Sequence, residues 1–171
     1  MKPLIGLLAA GLLLALAAGV YAPAWMPRAS AHGDHAAHGG HSAQSFEAGE
    51  PGDASKPFRT IEIIMRDGAG TMSYAPDRID AKKGEQIKFV LRNEGQVDHE
   101  FLIDSFGNNA KHKAEMEKNP EMDHEEPNGA RLKPADRKEL LWRFTKAGTF
   151  EFACLLPGHY ETGMKGVVVV R

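Results

Sequence analysis

One short stretch near the C-terminal end of the chain carries three side chains that bind soft metals. Cys154, His159 and Met164 follow one another at a Cys-x4-His-x4-Met spacing. A thiolate, an imidazole and a distant thioether, together with a second imidazole, form the trigonal site with a weak axial ligand that suits copper in electron transfer. The stretch therefore predicts a copper centre, and its remaining imidazole must come from elsewhere in the chain.

The sequence around this loop predicts two strands that would hold it. An alternating stretch, residues 149–153, leads into Cys154, and a valine-rich stretch follows the loop. Because side chains alternate between the faces of a strand, Phe150, Phe152 and Cys154 share one face, and the thiol is expected to point toward a core. A Pro-Gly pair within the loop then turns the chain back toward the sulfur.

His99 is the candidate for the second imidazole. It opens the predicted strand 99–103, whose inner face otherwise carries Phe101 and Ile103. The start of one strand and the end of an antiparallel neighbour lie at the same pole of a sandwich, so His99 can meet Cys154 there. A lone histidine at the edge of a core is more often simply hydrogen-bonded, but the ligand loop favours metal binding by this one.

The rest of the folded region consists of short strands separated by turns. Further strands are predicted at residues 60–65, 78–82, 87–92, 130–132 and 138–145, and a brief helix at 109–118 ends at Asn119-Pro120. Seven or eight short strands with one helical insert predict an all-β protein, an antiparallel β-sandwich. The folded domain is expected to span residues 58–171.

The N-terminal end has the features of an export signal. Residues 1–31 carry a positive charge at Lys2, followed by an uncharged stretch rich in leucine and alanine. They end in Ala29-Ser30-Ala31, a small-x-small cleavage pattern. We expect cleavage there and a periplasmic protein with no stable membrane association. The alternative is an uncleaved anchor, because the apolar run approaches the length that spans a bilayer.

Composition excludes several other classes of protein. The formal net charge is -2 and no Lys/Arg-rich run occurs, so a nucleic-acid surface is not expected. The single cysteine excludes an internal disulfide and a four-cysteine zinc site. A free thiol in an oxidising compartment needs an explanation, and metal ligation supplies one.

Two further groups of side chains are candidates for weaker, secondary copper binding. The low-complexity segment 32–57 is predicted to be a flexible arm; its candidate ligands are His32, His35, His38 and His41. The helical insert and the acidic loop after it contribute His112, Met116, Met122 and His124. The alternatives are a solvated tail and an exposed charged helix with incidental methionines.

Three segments give the chain a resemblance to a known family. The turn at residues 83–85, the start of the strand at 99–101 and the loop 154–164 look like those of the cupredoxins, the blue-copper proteins that include plastocyanin, azurin and auracyanin. The resemblance covers about residues 58–171 and implies a Greek-key β-sandwich. It also implies one type 1 copper held by His99, Cys154, His159 and, axially, Met164.

Other features refine this resemblance. The His-rich leader and residues 121–128 resemble those of periplasmic cupredoxins associated with copper tolerance. Plastocyanin and azurin usually carry Asn directly after the first histidine ligand, where this chain has Glu100. That difference bears on the hydrogen bonding around the thiolate.

Two functional classes follow from these observations. The chain either handles copper in the periplasm, with a transient redox or copper-handling partner, or is a dedicated electron shuttle whose histidine-rich arm is incidental. The arm and the insert favour copper handling, because an electron shuttle requires neither. Enzymatic turnover is not expected, since four protein ligands leave no open position for a substrate.

Overall fold

The computed structural model describes residues 46–119 and 126–171, which form ten strands and one helix. In chain order these are β1 Glu50–Pro51, β2 Arg59–Gly68, β3 Thr71–Ala75, β4 Arg78–Ala81, β5 Gln86–Asn93, β6 His99–Asp104, α1 Phe106–Lys118, β7 Gly129–Leu132, β8 Arg137–Arg143, β9 Gly148–Ala153 and β10 Lys165–Val170. The prediction of an all-β sandwich with one helix is confirmed.

The strands form two five-stranded sheets. One has the order β1-β8-β5-β2-β3 and the other the order β4-β10-β9-β6-β7. Most neighbours are antiparallel, but β2 pairs with β5 and β4 pairs with β10 in parallel. The sandwich is therefore mainly antiparallel, as predicted, with two parallel pairings that the prediction did not include. Alternation within a strand reports which face is buried and carries no information about the direction of its neighbour.

Aromatic rings from both sheets fill the space between them. Phe89 of one sheet lies 5.2 Å, between ring centroids, from Phe101 of the other, and Phe101 stacks on Phe152 at the same separation. All three side chains are fully buried. Rings packed at these distances and angles are among the most stabilising contacts in a core. They fix the two sheets relative to each other and hence the loops at the ends of the sandwich.

Residues that pack against the sandwich begin upstream of residue 58, the predicted start of the domain. Ala48 is fully buried, Phe46 packs edge-to-face on Trp142, and the two-residue strand β1 pairs with β8. The side chain of Asp104 accepts hydrogen bonds from the backbone N–H groups of residues 47 and 48, which holds this segment in place. Residues 46–57 thus belong to the sandwich, while the rest of the predicted arm, residues 32–45, lies outside the described residues.

Helix α1 starts three residues earlier than predicted. The side chain of Ser105 accepts a hydrogen bond from the Asn108 backbone N–H at 3.2 Å and caps the helix. The helix ends at Lys118, and Pro120 follows two residues later, where a proline stops helical hydrogen bonding. The helix packs against β6, which begins with His99, and against β9, which ends directly before Cys154.

Within residues 46–119 and 126–171, no helix has the length and apolar composition needed to cross a bilayer.

Candidate metal centre

The sandwich brings His99, Cys154 and His159 together at one pole. His99 begins β6, Cys154 follows β9, and these two strands are antiparallel neighbours. One ligand atom from each residue can be chosen such that all three lie within 4.8 Å of one another. The Cys154 sulfur is 3.3 Å from His159 Nδ1, and the two imidazole rings are 5.3 Å apart between centroids. The predicted meeting of residues 99 and 154 is confirmed.

The His99 ring is buried and uses only one nitrogen for hydrogen bonding. Its Nε2 lies 2.9 Å from Asp67 Oδ1, whereas Nδ1 is buried and has no hydrogen-bond partner in the described part of the chain. A buried polar atom without a partner is costly and needs an explanation. A metal bound at Nδ1 supplies the missing partner.

Asp67 is a carboxylate that sequence analysis did not single out. Burial raises its pKa, but hydrogen bonds from His99 and from the backbone N–H groups of Gln96 and Val97 outweigh that effect and lower the pKa below its usual value. Asp67 therefore stays ionised at neutral pH beside a candidate ligand. Asp67 lies at the end of the inward, otherwise apolar face of β2, but no local pattern in the sequence links it to His99.

The Cys154 thiol lies fully buried at the end of β9. Burial raises its pKa to about 12, with the charge of Glu100 adding to the shift and hydrogen bonds from backbone N–H groups opposing it. One of these bonds runs from the Glu100 backbone N–H to the sulfur at 3.3 Å. Without a metal the group therefore remains a thiol at neutral pH, and binding as a thiolate releases a proton.

His159 occupies the more exposed side of the centre. Its side chain is half-buried, in contrast to the fully buried His99 and Cys154. Burial lowers its pKa, and the neighbouring His99 lowers it further, so the ring is neutral at pH 7 and has a lone pair for a metal. The ring is held by a compact loop: the backbone N–H of His159 donates to the Leu156 carbonyl, and its carbonyl accepts from the Thr162 hydroxyl at 2.8 Å.

Met164 ends the same loop and is fully buried. The Cys154 backbone N–H donates to the Met164 carbonyl at 3.1 Å, and the Met164 N–H donates to the His159 carbonyl at 3.2 Å. Both Cys154 and Met164 belong to the main hydrophobic core. The loop thus closes on itself and brings the backbone of the predicted axial residue next to that of the thiol.

Glu100 contacts the ligand loop through both its backbone and its side chain. One carboxylate oxygen accepts a hydrogen bond from the Leu155 backbone N–H at 3.2 Å, and the Glu100 carbonyl accepts from the Tyr74 hydroxyl. The side chain is nearly buried. The residue that departs from the plastocyanin and azurin pattern therefore ties the strand of the first histidine to the loop of the cysteine.

The donor set fits copper. Two imidazoles and one thiol converge, with a buried thioether on the same loop, and soft sulfur with imidazole favours copper over the hard cations. Comparison with known families decides the class of metal. A family model described as copper binding proteins of the plastocyanin/azurin family matches residues 61–171.

The chain belongs to the plastocyanin/azurin family of copper-binding proteins. Copper is therefore the metal of this cupredoxin. The chain is 45% identical over 123 residues to the copper-resistant cuproprotein CopI of Rubrivivax gelatinosus. This match covers 72% of the chain and 73% of that protein. CopI of Pseudomonas aeruginosa is 33% identical over 152 residues, with 72% of this chain and 82% of that protein covered.

Solved structures agree on the fold. Auracyanin B superposes with a TM-score of 0.58 over 73% of this chain and 96% of its own length, at 20% sequence identity. At that identity the likeness shows the fold alone, which is the cupredoxin sandwich.

Of the predicted secondary ligands, His112 and Met116 of the helical insert lie in the described residues. His112 lies with Glu126, 3.5 Å between Nδ1 and Oε1, in a cleft of about 260 Å³ beside α1, whereas Met116 is buried in the core. Met122 and His124 lie outside the described residues, as do the histidines of the arm: His32, His35, His38 and His41.

Proposed function

We propose that this cupredoxin is a redox-active periplasmic protein that serves copper tolerance, with one type 1 copper per chain held by His99, Cys154, His159 and, axially, Met164. The observation that carries the proposal is the convergence of the first three donors within 4.8 Å, although His99 is remote in sequence from the other two. The neutral His159 ring offers a lone pair to a metal, and the free thiol binds as a thiolate once its proton leaves.

Each residue has a separate role in this centre. Cys154 supplies the thiolate, and the Glu100 N–H that points at its sulfur stabilises that negative charge. His99 and His159 supply imidazole nitrogens, and Met164 supplies a weak axial thioether that tunes the potential more than it holds the metal. Copper bound by this donor set supplies a one-electron Cu(I)/Cu(II) couple with little rearrangement of its surroundings.

Copper tolerance is supported by the two relatives that are named copper-resistant cuproproteins and by the histidine-rich segment upstream of the domain. Export is supported by the sequence of residues 1–31. N-terminal sequencing of the protein recovered from the periplasm is expected to start at His32. A mature chain that still begins at Met1 in the membrane fraction would contradict export with cleavage.

Electron transfer to a partner protein is the second candidate function. It is favoured by the exposure of His159, since His99, Cys154 and Met164 are fully buried and only the His159 ring reaches the surface. A partner that docks there would form a small, transient contact. With four protein donors the centre has no open position for a substrate, so we propose no enzymatic turnover.

Reconstitution with Cu(II) tests the metal centre. The wild-type protein is expected to bind one copper at this pole with strong visible thiolate-to-copper absorption, and Cys154→Ser is expected to lose that absorption. His112→Ala is the matched control for His99→Ala, since His112 lies in the separate cleft beside Glu126. The proposal is contradicted if the wild type stays colourless or if the two histidine variants bind copper alike.

A copper-tolerance assay separates the two functions. Cells that lack the protein are complemented with the wild type, Cys154→Ser or a deletion of residues 32–45, which stops before the packed residues Phe46 and Ala48. Copper handling predicts that both altered proteins restore less tolerance than the wild type. Unchanged tolerance with all three, together with impaired respiration on loss of the whole protein, would favour the electron shuttle.

A further inference from the structure

A single carboxylate joins the two sheets at the metal-binding pole. Asp67 lies near the end of β2 in one sheet, and His99 begins β6 in the other. Asp67 Oδ1 and His99 Nε2 are 2.9 Å apart, and the His99 side chain is fully buried while that of Asp67 is 14% exposed. This contact is made by the chain itself, so the histidine is held before any metal arrives.

The surroundings of Asp67 hold its carboxylate in place. The same oxygen accepts a second hydrogen bond from the Gln96 backbone N–H at 2.8 Å. Gly95 makes room for the pair, because a Cβ at that position would lie 1.8 Å from Asp67 Oδ1 and 2.8 Å from His99 Nε2. The turn between β5 and β6 is thus shaped around this contact.

The contact determines which nitrogen of His99 is available. An ionised carboxylate accepts hydrogen bonds and donates none, so Nε2 must carry the proton of this hydrogen bond. Nδ1 is then the atom with a free lone pair, and it is the buried nitrogen that has no partner among the described residues. A carboxylate behind a metal-binding histidine fixes the ring and raises its basicity.

We propose that Asp67 is a positioning residue of the copper centre: it holds His99 in the Nε2–H tautomer with Nδ1 toward the metal, and its negative charge favours Cu(II) over Cu(I). The inference rests on the proposed copper centre. The Asp67 carboxylate then influences the potential from behind the His99 ligand. The effect of the Asp67 charge on the potential can be separated from metal binding itself. An asparagine at residue 67 can keep the hydrogen bond to His99 and remove the charge.

Three variants test the role of the charge. Asp67→Asn keeps an acceptor for the Nε2 proton and is expected to lower the ratio of Cu(II) to Cu(I) affinity about tenfold, which raises the potential by about 59 mV. Asp67→Ala removes the acceptor as well and is expected to lower Cu(II) affinity about 10–100-fold. Asp98→Asn is the matched control: this carboxylate is adjacent to His99 in sequence but pairs with Arg131 at 3.2 Å.

The measurements are the Cu(II) affinity and reduction potential of the wild type and the three variants, and the ¹⁵N spectrum of the His99 ring in the metal-free wild type. We expect a larger rise in potential for Asp67→Asn than for Asp98→Asn, and a proton on Nε2 in the spectrum. Equal potentials for the two asparagine variants, or a proton on Nδ1, would overturn the role of Asp67. The spectrum needs no copper and no variant, so it decides the tautomer even if the copper centre itself proves wrong.

Discussion

The backbone N–H of Glu100 points at the sulfur of Cys154 across 3.3 Å, although 54 residues separate the two in sequence. The same glutamate accepts a hydrogen bond from the Leu155 N–H through its side chain at 3.2 Å. One residue therefore fixes both the sulfur and the first turn of the loop that carries His159 and Met164. The strand of the first histidine and the loop of the cysteine behave as one unit.

Substitution of Glu100 tests this link. Glu100→Ala leaves the Leu155 N–H without its acceptor and is expected to lower the free energy of unfolding of the metal-free protein by about 1–3 kcal/mol. Glu100→Gln keeps a carbonyl oxygen for that bond and is expected to cost less. Urea denaturation of both variants measures the difference. Equal losses would show that the bond to Leu155 contributes nothing to stability.

Burial of the thiol predicts how the stability of the metal-free protein depends on pH. The pKa of Cys154 is raised from 9.0 to about 12 in the folded state, so above pH 9 the unfolded chain releases a proton that the folded chain retains. Stability is therefore full below pH 9 and falls as pH rises toward 12, by up to about 1.4 kcal/mol per unit. The serine hydroxyl of Cys154→Ser does not ionise in this pH range, so that variant lacks this contribution to the pH dependence of stability.

The difference in unfolding free energy between wild type and Cys154→Ser, measured by urea denaturation at pH 8 and pH 10, isolates the thiol. Lysines and tyrosines that titrate in this range are common to both proteins and cancel. The wild type is expected to lose more stability than the serine variant between the two pH values. Parallel losses would contradict a strongly raised pKa for Cys154.

Axial ligation by Met164 has a matched control in the same core. Met164 and Met65 are both fully buried, so Met164→Leu and Met65→Leu are comparable, nearly volume-conserving changes that cost less than about 1.5 kcal/mol each. If the thioether of Met164 binds copper axially, only Met164→Leu shifts the reduction potential and the visible spectrum. Complete loss of copper in that variant, or equal spectra for the two, would contradict a weak axial role.

A methyl group at residue 95 tests the space that the Asp67–His99 pair requires. Gly95→Ala places a Cβ 1.8 Å from Asp67 Oδ1 and is expected to destabilise the protein by about 1–3 kcal/mol and to weaken copper binding. A Cβ from Gly107→Ala in α1 comes no closer than 4.0 Å to Ser105 Oγ, an ordinary contact, so this change is expected to be neutral or to stabilise by about 0.5–1 kcal/mol. Thermal unfolding and copper titration measure both effects, and similar results for the two alanines would contradict a close approach at Gly95.

The parts of the centre that the sequence predicts are those with a local pattern. Alternation along β9 places Cys154 on the core face, and antiparallel pairing of β6 with β9 brings His99 to the same pole. Both features depend on strand periodicity and on one pairing rule. Both can therefore be predicted from the sequence.

Other parts depend on contacts that no local pattern encodes. Asp67 looks like an ordinary polar residue near a strand end, and its approach to His99 follows from the turn that contains Gly95. Strand β3 was missed because it is short and follows a Gly-Ala-Gly turn directly, at residues 68–70. Phe46 and Ala48 lie in a Gly/Ala/Ser-rich stretch, where two isolated apolar residues give no periodic signal.

Anomalous diffraction at the copper edge, from crystals of the Cu(II)-loaded protein, locates the metal relative to the three convergent donors. We expect one strong peak within bonding distance of the Cys154 sulfur and of Nδ1 of both His99 and His159. The absence of a peak among these atoms, with copper in the cleft of His112 and Glu126 instead, would contradict the proposed centre.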